Sequence, residues 1–359
     1  MEYIMSRFFS ARHKNLVPYT PGEQPRGMDF IKLNTNESPF PPSPGVLDVL
    51  SGDLPTTLNL YSDPTCTKLR EALADYHGVE KANISVANGS DETLAFAFLA
   101  YGDKAHPFIF SDITYGLYPV ISDLFGIPYT EIPLTDTLEI NTNDYINAKS
   151  NIIFANPNAP TGIAVPLSEI ERIVASNPDN IVVIDEAYAD FWGQSAIPLT
   201  AKYDNLLVVC TYSKSRNMAG ARLGYVVGNT ALIADIEAVR YSFNPYNLNS
   251  LTLAAGAAAL RDNDYYAACW ENTIAAREDT KPALRDLGFT VTDSQANFLF
   301  ARHGGFTGPE LSAKLRERGI LVRNLSLPRI RDWLRISVGT DWQMQAVVAV
   351  LSEILNEKV

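Results

Sequence analysis

The chain has 359 residues, 46% of them hydrophobic and 19% charged, with a formal net charge of −12. That is enough apolar material to bury a large core in two domains, and the acidic balance argues against nucleic acid or an anionic membrane as partner. Three cysteines and four histidines, widely spaced, give neither a disulfide framework nor a set of metal ligands.

Residues 1–40 are rich in proline and glycine (Pro18, Pro21, Gly22, Pro25, Gly27, Pro39) and read as an extended arm that needs another surface, the small domain or a partner copy. The first twenty carry Arg7, Arg12 and Lys14 but no long apolar core, so no secretory signal is expected. No run approaches the roughly 18 apolar residues of a membrane span. The expected compartment is the cytoplasm.

From Thr67 the pattern alternates helix with apolar strand. Thr67–Tyr76 is a predicted helix with Leu69 and Leu73 on one face and Gly78 as terminator. A strand at Ile84–Ala87 runs through Asn88-Gly89-Ser90-Asp91 into a helix bearing Leu94, Phe98 and Tyr101. Short apolar runs follow at Phe108–Phe110, Ile152–Ala155, Ile181–Ile184, Leu206–Cys210 and Tyr225–Val227. Ser168–Ala175 is a predicted helix whose Ser168 and Glu171 have capping-box spacing. Such runs, separated by helices, imply an α/β fold, a three-layer domain with a mostly parallel central sheet covered on both faces. This large domain is expected over 41–262.

Beyond Asn263 the rhythm changes. A long helix over Asp264–Leu287 contains Pro282, where it should bend or restart. Strands are expected at Ala296–Ala301, Leu321–Asn324 and Leu334–Val338. A last helix carries Met344, Val347, Val348, Leu351, Ile354 and Leu355 on one face. Residues 263–359 thus read as a smaller α+β domain.

Open α/β sheets bind ligands at the carboxyl ends of their strands. Lys214, Asp185 and the turn Gly89-Ser90-Asp91 all follow predicted strands and can converge on one crevice. A lysine after a buried strand usually snorkels to solvent; here Asp185 and Arg222 give it company. A lysine amine condenses with an aldehyde, an arginine holds a phosphate, and a buried aspartate keeps a pyridine nitrogen protonated. Together these are the handles of pyridoxal 5′-phosphate. Once freed, the Lys214 amine can move a proton between substrate Cα and cofactor. The Gly89 turn at a helix start suits a phosphate dianion, and Ser213 and Arg222 complete a cradle. Tyr188 is placed to hydrogen-bond the ring oxygen, and Tyr115 to stack on the ring. An aspartate cap, a buried tyrosine and a core aromatic are the plainer readings of Asp185, Tyr188 and Tyr115. No Gly-x-Gly-x-x-Gly, Walker-type, Gly-x-Ser-x-Gly or His-Glu-x-x-His motif competes.

With these motifs in view, the chain resembles the fold-type I pyridoxal-phosphate aminotransferases of class I/II, and among them the histidinol-phosphate aminotransferases. The likeness runs nearly end to end, through Leu33-Asn34-Thr35-Asn36-Glu37-Ser38-Pro39, Tyr61-Ser62-Asp63-Pro64, Asn156-Pro157-Asn158-Ala159-Pro160-Thr161-Gly162, Asp185-Glu186-Ala187-Tyr188 and Ser213-Lys214 through Arg222-Leu223-Gly224. The resemblance implies a homodimer with shared active sites, in which Tyr61 reaches the partner's cofactor phosphate. It implies that Arg335, with Arg323 beside it and Tyr19 from the arm, binds the anionic end of the amino donor, and that a 2-oxo acid accepts the amino group. Two positions depart from the family's pattern. Ala159 stands where an asparagine usually meets the ring oxygen, so either Asn158 or Tyr188 covers that role or the ring oxygen has one fewer donor. Arg216 and Asn217 replace residues that are usually apolar. A decarboxylase acting on threonine phosphate and an aromatic amino-acid aminotransferase share nearly every motif. A non-catalytic regulatory module would need a basic DNA-binding segment, which is absent from the sequence.

Overall fold

A computed structural model describes residues 6–25 and 30–357; the arm's residues 1–5 and 26–29 lie outside it. The strands are β1 (Ile31–Leu33), β2 (Ile84–Ala87), β3 (Phe108–Ser111), β4 (Tyr129–Ile132), β5 (Asn151–Ala155), β6 (Val182–Asp185), β7 (Leu206–Thr211), β8 (Gly224–Gly228), β9 (Phe289–Val291), β10 (Phe298–His303), β11 (Ile320–Asn324) and β12 (Leu334–Ser337). The helices are α1 (Pro44–Ser51), α2 (Thr67–His77), α3 (Ser90–Tyr101), α4 (Leu117–Phe125), α5 (Leu167–Ser176), α6 (Thr230–Phe243), α7 (Ser250–Arg261), α8 (Asn263–Asp286), α9 (Gly308–Glu317) and α10 (Asp341–Asn356).

A seven-stranded sheet has the order β2-β8-β7-β6-β5-β3-β4. Its strands from β7 across to β4 pair in parallel, and β8 runs antiparallel to both β7 and β2. All but the edge strand β4 are buried along their whole length, which is why they read as continuous apolar runs rather than as alternation. Successive residues still serve opposite faces. Ile152 and Phe154 pack with Leu69, Ile170 and Ala255 on one side, while Ile153 packs with Leu94, Tyr118 and Ile233 on the other.

A five-stranded sheet has the order β1-β11-β12-β10-β9. The arm supplies β1, which pairs in parallel with β11 through Ile31–Ile320 and Leu33–Val322. Helices α9 and α10 close this sheet with Leu311, Leu315, Val347 and Leu351.

One expectation is corrected, and one of two alternatives is removed. Ser168 and Glu171 form no capping box: α5 begins at Leu167 behind Pro166, with no side-chain cap. Ser168 therefore lies inside the first turn, and Glu171 pairs outward with Lys202. Helix α8 does not restart at Pro282 but continues to Asp286. Residues beyond Pro282 still donate to carbonyls within the helix, and Lys281 beside it is fixed by Glu278 and Asp293.

Candidate active site

Five chain segments meet at one edge of the large sheet because its parallel strands end there. Asp185 closes β6, Ser213 and Lys214 follow β7, Tyr115 follows β3, Asn158 follows β5, and the Gly89 turn follows β2. Arg222 precedes the reversed strand β8, so it reaches the same edge from the opposite direction. A cavity of about 390 Å³ opens there, walled by Lys214, Asp185, Tyr188, Tyr115, Arg222 and Asp91 among others.

Lys214 donates from Nζ to the Thr35 carbonyl at 3.1 Å. Burial, and then the Arg335 guanidinium, lower its ammonium to about 8, against the opposing pull of Glu37 and Asp91. Asp185 shifts the other way. Burial raises its carboxyl to about 6, although the Tyr118 hydroxyl donates to it at 2.8 Å and the Ala187 amide at 3.2 Å. At neutral pH this leaves a largely ionised carboxylate and an amine within easy reach of deprotonation. Tyr188 accepts a hydrogen bond from Asn36 Nδ2 at 3.0 Å, so its own hydroxyl proton is free to be donated into the cavity.

The turn before α3 places Gly89 at φ +88°. A Cβ at that position would fall 2.6 Å from Arg222 Nη2, so only glycine lets the guanidinium lie across the turn. Arg222 pairs with Asp91 at 3.2 Å, and the Tyr115 hydroxyl donates to the other Asp91 oxygen at 2.8 Å. Ser90 and Ser213 line the cavity beside them. Asp91 thus holds both the cation and the aromatic ring in place at a helix N-terminus.

Arg335 and Arg323 face each other in register across β12 and β11. Arg335 donates from Nη2 to the Asn34 carbonyl at 3.1 Å, while its buried Nε has no partner. Burial lowers its pKa, which marks a guanidinium short of a counter-charge. Arg323 holds the arm by donating to the carbonyls of Thr20 and Pro21. Tyr19, next along the arm, packs edge-on against Tyr115 with ring centroids 5.9 Å apart.

Six sequence-predicted residues do not line the cavity themselves: Gly89, Tyr19, Arg323, Arg335, Tyr61 and Asn158. Tyr61 is 84% exposed and stacks on Tyr246 at 4.5 Å. Asn158 spends both amide hydrogens on the Ile113 carbonyl and Thr161 Oγ1, and it is Ala159 that lines the cavity. Of the two side chains that stand to replace the missing asparagine, Tyr188 is therefore the one with a free donor. Sequence reasoning missed Thr35, Glu37, Asn36 and Tyr118. The first three lie in the quoted arm motif, but nothing local says that β1 brings the arm over Lys214. Tyr118 lies in the first turn of α4, just after the Tyr115 segment, and no local signal in the sequence marks it as a partner of Asp185.

The sequence profile of aminotransferase class I and II matches residues 28–351. Histidinol-phosphate aminotransferase 2 of Dechloromonas aromatica is 48% identical over 354 residues, covering 98% of this chain and 99% of that one. Histidinol-phosphate aminotransferase of Brachyspira hyodysenteriae is 45% identical over 353 residues, covering 98% and 100%. Among solved structures, histidinol-phosphate aminotransferase from Sinorhizobium meliloti in complex with pyridoxal-5′-phosphate shares the fold with a TM-score of 0.82 at 23% identity, over 92% of each chain.

Proposed function

The chain belongs to the class I and II aminotransferases, and from that premise we propose that it moves the amino group of histidinol phosphate to a 2-oxo acid, 2-oxoglutarate, in histidine biosynthesis. Its cofactor is pyridoxal 5′-phosphate, and the residues present suit that group. An amine lowered to about 8, a buried carboxylate and a glycine turn crossed by Arg222 offer one partner each to an aldehyde, a ring nitrogen and a phosphate. When bound, the cofactor supplies an aldehyde for the amino group and a conjugated ring that accepts the electrons released at substrate Cα.

The chain's own residues do the rest. Asp185, oriented by Tyr118, holds the ring nitrogen's proton. Ser90, Ser213, Arg222 and the backbone amide of Asp91 would hold the phosphate, with the start of α3 adding the positive end of its dipole. Tyr188, held by Asn36, donates to the ring oxygen in place of the absent asparagine at Ala159. Tyr115 covers the ring. Lys214, with its lowered proton affinity, takes the proton from substrate Cα and returns it on the product side. The arm, with Thr35 over Lys214, excludes water from that transfer.

The observation that carries the choice of donor is the pair Arg323 and Arg335 in one cross-strand register, with Arg335 Nε unpartnered. A phosphate dianion matches two guanidinium groups better than a single carboxylate does. The relatives of D. aromatica and B. hyodysenteriae carry the same activity in their names. Steady-state assay with histidinol phosphate, histidinol, threonine phosphate and aromatic amino acids tests the reading. Glutamate formation from histidinol phosphate is expected, with histidinol much poorer. Carbon dioxide release from threonine phosphate without glutamate would replace it with a decarboxylase.

A further inference from the structure

The cavity around Lys214 has a larger neighbour. A second cavity, of about 510 Å³, lies back to back with it: Thr211 lines both, Ser213 and Lys214 face the first, and Ser215 and Arg216 face the second. Its volume is in the range of small-ligand sites.

Its charges are unusual because they do not pair. Arg216 is only 4% exposed, and its guanidinium carbon sits 4.9, 5.3 and 5.0 Å from the ring centroids of Tyr76, Tyr266 and Trp270. Nη1 donates to Asn263 Oδ1 at 2.9 Å, yet among the described residues no carboxylate pairs with this arginine. Glu186, 5% exposed, accepts from Ser195 Oγ and the Ala196 amide, and burial pushes its carboxyl up to about 8, so at neutral pH it keeps its proton and needs no cation. Asp190, exposed at the cavity wall, makes no side-chain hydrogen bond or ion pair among the described residues. His77 is tied to the Tyr225 hydroxyl at 2.9 Å, and burial keeps it neutral by lowering its pKa to about 4.

One buried cation and one exposed carboxylate, Asp190, therefore share a cavity without pairing, beside the protonated Glu186. A buried guanidinium without a counter-ion is costly even with aromatic rings around it. A ligand with a carboxylate and an ammonium a few ångströms apart supplies both missing partners at once. We propose that this cavity is a binding site for a small zwitterionic amino acid, with its carboxylate on Arg216 and its ammonium toward Asp190. Trp270 already ties the same segment to α8 by donating from Nε1 to the Ser215 carbonyl at 2.5 Å. An occupant would brace the residues that directly follow Lys214, and so tie amino-acid supply to the rigidity of the active-site lysine.

The test uses holoenzyme whose lysine link has been reduced with borohydride, so that amino acids no longer exchange at Lys214. Glycine and L-serine are titrated by calorimetry, with acetate and methylammonium as single-charge controls. The expected result is saturable binding of at least one amino acid, one per chain, with both controls weaker. Asp190→Asn and Arg216→Met should each weaken it about tenfold or more. Asp190 makes no side-chain hydrogen bond or ion pair among the described residues, so its variant keeps the test valid if Arg216→Met does not fold. Four outcomes overturn the proposal: no saturable binding at millimolar concentration, acetate binding as well as the amino acids, affinity unchanged in Asp190→Asn, or binding abolished instead by Arg335→Met, which would place the ligand at the substrate arginine.

Discussion

Burial moves the two central groups in opposite directions along the pH axis, the Asp185 carboxyl up to about 6 and the Lys214 ammonium down to about 8. Because the folded pKa of Asp185 is raised, the native state holds more protons than the unfolded chain between about 4 and 6, and stability falls as pH rises through that window. Ionised Asp185 is thus a cost to the cofactor-free protein at neutral pH. Asp185→Asn is expected to stabilise that form by about 1–3 kcal/mol in denaturant unfolding, while lowering turnover by about 10²–10⁴-fold. A variant that lowered both stability and activity would contradict this assignment. For Lys214 the folded pKa is depressed, so stability rises with pH between about 8 and 10.5. The rate at which an amine-directed reagent modifies Lys214 should have its midpoint near 8. Arg335→Met removes the second-largest cause of the shift, so that midpoint should move upward. The same variant should raise KM for the phosphorylated donor about 10–100-fold, the scale of one charge-assisted hydrogen bond.

At the scale of elements, the strands that build the site were legible because they are buried on both faces and carry unbroken apolar runs. The three-residue β1 was not: its only reason to exist is pairing with β11, nearly three hundred residues away in sequence. Nor was α7, whose buried Ala255, Gly256, Ala257, Ala258 and Ala259 show no amphipathic period. Capping-box spacing misled at Ser168, where Pro166 starts the helix a residue early, yet the same spacing is realised at Thr307–Glu310 and Thr340–Gln343. Thr307→Ala should therefore cost about 1 kcal/mol in chemical denaturation and Ser168→Ala almost nothing. Equal losses would mean that the two helix starts do not differ. For the site, chemistry at strand ends was readable residue by residue. The partners Asn36 on Tyr188 and Thr35 on Lys214 were not, since both depend on the arm folding back. The glycine turn is the most fragile of these pieces. Gly89→Ala combines a positive φ with a Cβ at 2.6 Å from Arg222, so it should deplete bound cofactor, read by absorbance, more than it lowers the melting temperature.

At the scale of the whole molecule, we place the division between a large and a small domain at 262–263, where α7 gives way to α8. The arm crosses that division: its β1 belongs to the small sheet, and Thr35 lies over the lysine of the large one. Leu60, Tyr61, Phe243 and Tyr246 are exposed, with Tyr61 stacked on Tyr246, and we propose that they face a second copy in the two-fold dimer that the family resemblance implies, in which Tyr61 completes the neighbour's phosphate site. Sedimentation should give twice the chain mass, and Leu60→Asp should yield monomers that retain their fold but lose most activity. Full activity in a demonstrably monomeric sample would rule out shared sites.

The central claim is that Lys214 carries the cofactor, and the most direct measurement of it is peptide mapping after borohydride reduction of the protein incubated with pyridoxal 5′-phosphate. The account predicts a single modified peptide whose added mass lies on the Lys214 side chain, with none in Lys214→Ala. Modification spread over other lysines, or an unmodified Lys214 in protein that has bound the cofactor, would contradict it.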